Sequence, residues 1–177
     1  MAYFQIDKNP KKKFFDKETE RANLTSEDYR DAAKALYENA KEYHLFLLKA
    51  SHGDMNRIIE VLNPFLSNCG LVCELLLKAI LCFEQTDYMV LLHGKDRHSL
   101  YQLYGLLNSN TKEEIINQFP HRNNKRENFE LCLQENAQIF YELRYATEYK
   151  ELAGDTCFIP DLMVTLHIVM AKKINEK

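Results

Sequence analysis

Cys69-Gly-Leu-Val-Cys-Glu-Leu-Leu-Leu-Lys-Ala-Ile-Leu-Cys-Phe83 is apolar at almost every position, with Glu74 and Lys78 as its main interruptions. The run is too long for a typical strand, and its lack of a polar face marks a helix buried on most sides. It is the expected centre of a helical bundle. Upstream, Met55, Ile58, Ile59 and Leu62 continue the pattern behind a capping Asp54. Asn63 followed by Pro64 suits an N-cap with proline at the first helical position, so the sequence allows either a kink or a fresh helix there.

The flanking pattern is helical as well. Thr25-Ser-Glu-Asp28 reads as a helix start, and Tyr29, Ala32, Leu36, Ala40, Tyr43 and Leu47 then recur at three and four residues, giving a first helix to about Ala50. Gln85 to Asp96 reads as the longest loop, its apolar Tyr88–Leu92 stretch packing as a lid or short extended piece. Arg97 to Leu107 reads as a short helix. Thr111-Lys-Glu-Glu114 is a capping-box sequence opening another short helix that ends at Pro120. Phe129, Leu133, Phe140 and Leu143 mark a long helix from about Glu127 to Tyr149, and Pro160 begins a last one. Residues 1–24 are polar and aperiodic and read as an N-terminal arm, leaving 25–177 as a single helical domain.

Composition agrees. Five Gly and four Pro in 177 residues leave few sharp turns, which disfavours sandwiches and barrels and favours an all-α fold. The net charge of -3 provides no global field for nucleic acid, so any RNA contact must be local. Two basic patches exist, Lys8 with Lys11, Lys12 and Lys13, and His121, Arg122, Lys125 and Arg126. Short runs of this kind are mostly solvated surface. Cys69, Cys73, Cys82, Cys132 and Cys157 lack paired CxxC spacing and lie mostly in apolar helical patterns, so core packing is expected rather than metal or a disulfide framework. No signal-peptide stretch is apparent, and a cytoplasmic chain with no membrane association is expected.

Chemistry has few places to sit. Glu74 and Lys78 can pair along one helical face, as can Arg144 and Glu148, which have Tyr145 and Tyr149 beside them. Both pairs are either plain surface pairs or, if the two helices pack antiparallel, one semi-buried cluster of four mutually compensating charges. His98 stands at the start of Arg97-His-Ser-Leu-Tyr-Gln-Leu-Tyr104, in a loop made locally basic by His93, Lys95 and Arg97. The twenty Tyr and Phe residues lie mainly at core spacing. No metal or cofactor motif is present, and none is expected.

Three strings taken together, Asn68-Cys-Gly-Leu-Val-Cys-Glu-Leu-Leu-Leu-Lys78, His98-Ser-Leu-Tyr-Gln-Leu-Tyr104 and Phe140-Tyr-Glu-Leu-Arg-Tyr-Ala-Thr-Glu148, resemble the HEPN superfamily. The resemblance covers roughly residues 55–150. It implies a bundle of four to five main helices plus short ones, often a homodimer, used in nucleotide binding, RNA cleavage and prokaryotic defence or toxin-antitoxin systems. Nuclease members carry Arg, a polar residue, three arbitrary residues and His on the late helix. Arg144 matches the arginine, but Tyr145 stands at the polar position and Tyr149 where the histidine belongs. An imidazole titrating near about 6.5 exchanges protons at neutral pH, whereas a phenol near about 10 is a poor base.

Three expectations stand open. The first is a HEPN-like module that binds RNA or a nucleotide phosphate without the standard cleavage, in which Arg144 and His98 hold the ligand beside Tyr145 and Tyr149, and Glu74, Lys78 and Glu148 support Arg144. The second is a structural homodimer or interaction protein that engages a protein partner. The third is a divergent metal-independent RNase with His98 and Arg144 as its catalytic groups.

Overall fold

A computed structural model of the protein describes residues 25–50, 55–120, 126–140 and 157–175. Among these residues the chain is all-α, with seven α-helices, one 3-10 turn and no strand. The N-terminal arm, the basic residues 121–125 and the segment 141–156 lie outside the described residues.

Helix α1 (Ser26–Ala50) opens where the sequence places it. Thr25 donates its N–H and Oγ1 to Asp28 Oδ2 at 2.8 and 2.7 Å, and Asp28 N–H returns to Thr25 Oγ1 at 3.3 Å. These bonds hold the Asp28 carboxyl below its ordinary range. The buried line of α1 is Tyr29, Ala33 and Ala40 with Leu36 and Tyr37 beside it. Ala32 and Tyr43 face outward instead, so the stripe is rotated from the expected one.

Helix α2 (Met55–Phe83) is continuous, with Pro64 inside it. Neither a fresh helix nor a separate start occurs at Asn63. The proline costs the helix one N–H donor, and the apolar residues that follow hold it together. Val72, Cys73, Leu76, Leu77, Ile80 and Leu81 are all at or below 2% exposure, which makes α2 the core of the bundle. Val61–Phe83 is long and apolar enough to cross a membrane by length and composition, yet 72% of its apolar window is buried against the rest of the chain. The core helix of a folded protein has these properties.

Helix α1 lies along α2 over most of its length, and α7 (Phe158–Asn175) packs on another side. His167 of α7 stacks on Tyr37 of α1 with ring centroids 4.4 Å apart and planes 11° from parallel. At the end of α2, Gln85 adopts the left-handed conformation (φ 59°), and Thr86 N–H reaches back to Leu81 O at 2.9 Å.

The expected loop after it is helical. One turn, α3 (Tyr88–Leu91), is capped by the Asp87 carboxylate on the N–H groups of Met89 and Val90, and a 3-10 turn, η1 (Gly94–His98), follows. Asp87 supplies the local reason: its short carboxylate satisfies first-turn donors and nucleates a helix in four apolar residues.

Helix α4 (Leu100–Gly105) is therefore shorter than the sequence suggests, and Ser99, not Arg97, starts it. Helix α5 (Ser109–Gln118) begins before Thr111, because Asn108 is the cap and Thr111 N–H is its target at 2.8 Å. Helix α6 (Arg126–Glu135) stops at Asn136, so the expected continuous helix to Tyr149 is broken. Asn136 explains the stop: its side-chain amide donates to Cys132 O at 2.8 Å, duplicating the bond its own backbone N–H makes there. Helix α7 starts at Phe158, with Pro160 inside its first turn.

Phe119, Phe129 and Phe158 form a triangle with centroids 5.1 to 5.6 Å apart, and Tyr104 adds to it at 5.5 Å from Phe129. These rings are packing, as their spacing in the chain suggests. Cys69 and Cys73 are fully buried, and burial pushes the Cys69 thiol up to about 12 and that of Cys73 well above its ordinary value. Both side chains are part of the core packing of α2.

Candidate functional site

Glu74 stands in the most apolar part of α2 and is only 3% exposed. A lone carboxylate there would be very costly, so its partners define the site. Lys78 Nζ, one turn along, donates to Glu74 Oε1 at 2.5 Å. The Nδ1 atom of His98, at the end of η1, meets the same oxygen at 2.8 Å. Burial works to raise the Glu74 carboxyl, but the His98 hydrogen bond and the Lys78 charge outweigh it and hold it below its ordinary value. Glu74 is thus a carboxylate at neutral pH. Its other oxygen, Oε2, is buried and has no hydrogen-bond partner among the described residues.

Two tyrosines complete the surroundings. Lys78 Nζ lies 5.6 Å from the centroid of the Tyr88 ring, within the range of cation–π attraction. The Tyr88 hydroxyl pairs with that of Tyr29 on α1 in a buried contact, and burial, followed by this bond, pushes the Tyr88 phenol far up. The charged pair of α2 is therefore roofed by α3 and α1.

Arg97 sets the position of His98. Its Nε donates to Leu92 O at 2.7 Å and its Nη2 to Met89 O at 2.8 Å, so the guanidinium fork locks η1 onto α3. Gly94, at φ +53°, lets the chain enter the turn. Leu100 N–H then bonds Ala137 O at 2.9 Å, which fixes the far side of His98 to the end of α6.

The resulting geometry has a chemical meaning. A carboxylate accepts only, so Nδ1 must carry the proton, and the tautomer of His98 is set. The ring remains 40% exposed, and Nε2 has no partner among the described residues. A neutral ring offers a lone pair at Nε2 and a charged ring offers an N–H. This is a carboxylate-oriented imidazole, suited to gripping a phosphate oxygen or moving a proton.

Of the expected site residues, Glu74, Lys78 and His98 come together. The Glu74–Lys78 pair is buried, not a surface stripe. Arg144, Tyr145, Glu148 and Tyr149 lie outside the described residues. In the locally basic loop Arg97 keeps its charge but turns two donors inward onto backbone carbonyls, while His93 and Lys95 are exposed. Tyr29, Tyr88 and Arg97 were not expected in these roles. Asp87 before an apolar run was the available signal for a helical turn carrying Tyr88, whereas nothing in the sequence marks Arg97 as a backbone clamp. Among the described residues no group of three or more His, Cys, Asp or Glu is placed to hold a metal ion. The chain matches no family model, no curated protein and no solved structure.

Proposed function

We propose that the chain is a HEPN-like helical module that binds RNA or a nucleotide phosphate at His98, with Arg144 as the second cationic contact. The observation that carries this reading is the half-exposed His98 ring held by a buried Glu74 carboxylate. Lys78 keeps that carboxylate charged, and Tyr145, Tyr149 and Glu148 act beside Arg144. Because Tyr149 replaces the expected histidine, the standard HEPN cleavage is not part of the proposal. A homodimer in a prokaryotic defence or toxin-antitoxin setting is the context that the sequence resemblance suggests.

Fluorescence anisotropy with labelled single-stranded RNA and with labelled nucleotides tests the reading. His98→Ala and Arg144→Ala are each expected to weaken binding about 10-fold or more, the scale of one lost charge-assisted contact. Equal affinity in wild type and both variants, or no binding by wild type, removes the proposal.

A second reading draws on the same bond. A carboxylate that fixes an imidazole tautomer is also the arrangement of a general base, which favours a divergent metal-independent RNase using His98 and Arg144. RNA cleavage in the presence of chelator, abolished by His98→Ala, would select it over simple binding.

A further inference from the structure

Ser67, Leu71, Glu74 and Lys78 follow one another at four, three and four residues, so they form a single line along α2. The line changes character midway. Glu74 and Lys78 are roofed by α3 and α1, with His98 of η1 on Glu74, whereas Ser67 and Leu71 open into a groove of about 240 Å³ between α1 and α2. Asn39 and Tyr43 of α1 form one wall, Pro64 and Asn68 of α2 line the floor, and Phe140 forms the other wall. Phe140 comes this close because Gly70 has no Cβ: one placed there would lie 2.9 Å from Ile139 Cγ2 and 3.4 Å from Phe140 N.

The lining chemistry is selective. It holds two side-chain amides, one aliphatic hydroxyl, two aromatic rings and no charged group. A phosphate or carboxylate would find nothing to neutralise it, and an aliphatic ligand would strip water from the amides without replacing their hydrogen bonds. One amide is already held in place: Asn68 Nδ2 donates to Leu36 O at 2.9 Å, leaving Oδ1 as a fixed acceptor. Asn39 adds an amide with both donor and acceptor. Tyr43, 38% exposed, adds an accessible aromatic ring to the lining. Flat heterocycles with a hydrogen-bonding edge match this set of groups.

We propose that the groove between α1 and α2 lined by Asn39, Tyr43, Ser67 and Asn68 binds an uncharged nucleobase, stacked against the aromatic walls and read by the two amides. The inference deepens the nucleotide reading and rests on it for the choice of a base over other flat heterocycles. Ser67 and Glu74 are seven residues apart, about 10 Å along the helix. The groove and the His98–Glu74 contact therefore lie about 10 Å apart on the same line of α2.

Nucleosides, which carry a base but no phosphate, test the groove apart from His98. In NMR titrations of the full chain, adenosine, guanosine, cytidine and uridine are added in turn, with ribose 5-phosphate as the probe that lacks a base. At least one nucleoside is expected to shift the amide resonances of Asn39, Tyr43, Ser67 and Asn68, and Tyr43→Ala to weaken its binding about 10-fold with helical circular dichroism unchanged. Because Tyr43 is exposed, Ser67→Val provides a second variant that keeps the fold and blocks a polar contact. The proposal is overturned if no nucleoside shifts these residues at millimolar concentration, if both variants bind as wild type does, or if ribose 5-phosphate shifts them equally. A nucleoside that binds in the groove of a chain whose RNA affinity ignores His98→Ala would sink the phosphate role of His98 and leave the groove standing.

Discussion

His98 Nδ1 and Glu74 Oε1 meet at 2.8 Å across 24 residues of chain, and this bond fastens η1 to the middle of α2. The same oxygen also holds Lys78, so one carboxylate serves both stability and the presentation of the imidazole.

Removing Glu74 alone strands the Lys78 ammonium in a buried position. Glu74→Ala is expected to destabilise the fold by about 3–5 kcal/mol, whereas Glu74→Leu combined with Lys78→Met should be neutral or stabilising by up to about 4 kcal/mol. Urea unfolding of the single and double variants measures both. A Glu74→Ala variant as stable as wild type would show that the pair is hydrated rather than buried.

Two acid-sensitive windows are expected, and they are separable. His167 is held below its ordinary 6.5, first by burial and then by the Lys41 and Lys34 charges, with Glu38 opposing them. A base with a depressed folded value contributes stability above its unfolded value, and that contribution fades as pH falls through the folded one. Stability thus begins to drop below pH 6.5. Glu74, also depressed, adds a second loss that begins below its ordinary 4.5 and continues through its lower folded value. Unfolding measured against pH should lose the upper step in His167→Phe, which keeps a ring on Tyr37, and in Glu74→Gln the lower step should shrink to the part the depressed Asp28 cap contributes. Retention of the upper step in His167→Phe would assign it to another group.

Gly70 of α2 and Gly105 of α4 separate packing from propensity. Gly70→Ala drives a Cβ to 2.9 Å from Ile139 Cγ2 and should cost about 1–3 kcal/mol despite the better helix former. Gly105→Ala meets nothing within 4 Å and should gain up to about 1 kcal/mol. Thermal unfolding of both variants reads the difference in sign, and a stabilised Gly70→Ala would place residues 139 and 140 farther from α2.

Arg97 reaches two carbonyls with two separate nitrogens, a geometry a single ammonium cannot reproduce. Arg97→Lys and Arg97→Ala should therefore behave alike, each losing about 1.5–3 kcal/mol of local stability. Hydrogen exchange at Leu92 and Ser99 should accelerate in both variants, with cleavage by trypsin after Lys95 becoming faster. Full protection in Arg97→Lys would reduce the clamp to a charge effect.

The central helix was legible because fifteen nearly unbroken apolar positions from Cys69 to Phe83 have few other stable fates. The α1 cap was equally plain in Thr25 and Asp28. The turns at Tyr88 and Gly94 were not, because a four-residue helix has no periodicity to detect and depends on the Asp87 cap and the Arg97 clamp. The break at Asn136 escaped for a related reason: the apolar spacing of Phe129, Leu133 and Phe140 continues across it, while one side-chain amide decides that the backbone stops. Within the site, the Glu74–Lys78 pair followed from helical spacing. The capture of His98 depended on a loop path that only Arg97 and the Ala137 carbonyl determine.

The two sulfhydryls at Cys69 and Cys73 lie on one face of α2 with almost no contact with water. With burial pushing the Cys69 thiol up to about 12 and that of Cys73 well above its ordinary value, alkylating reagents find little thiolate in the native state. Cys157, at the exposed edge of α7, stays open to the same reagents. Labelling at Cys69 and Cys73 consequently records the opening of the molecule's centre, which equips the native chain with an intrinsic clock for its own unfolding.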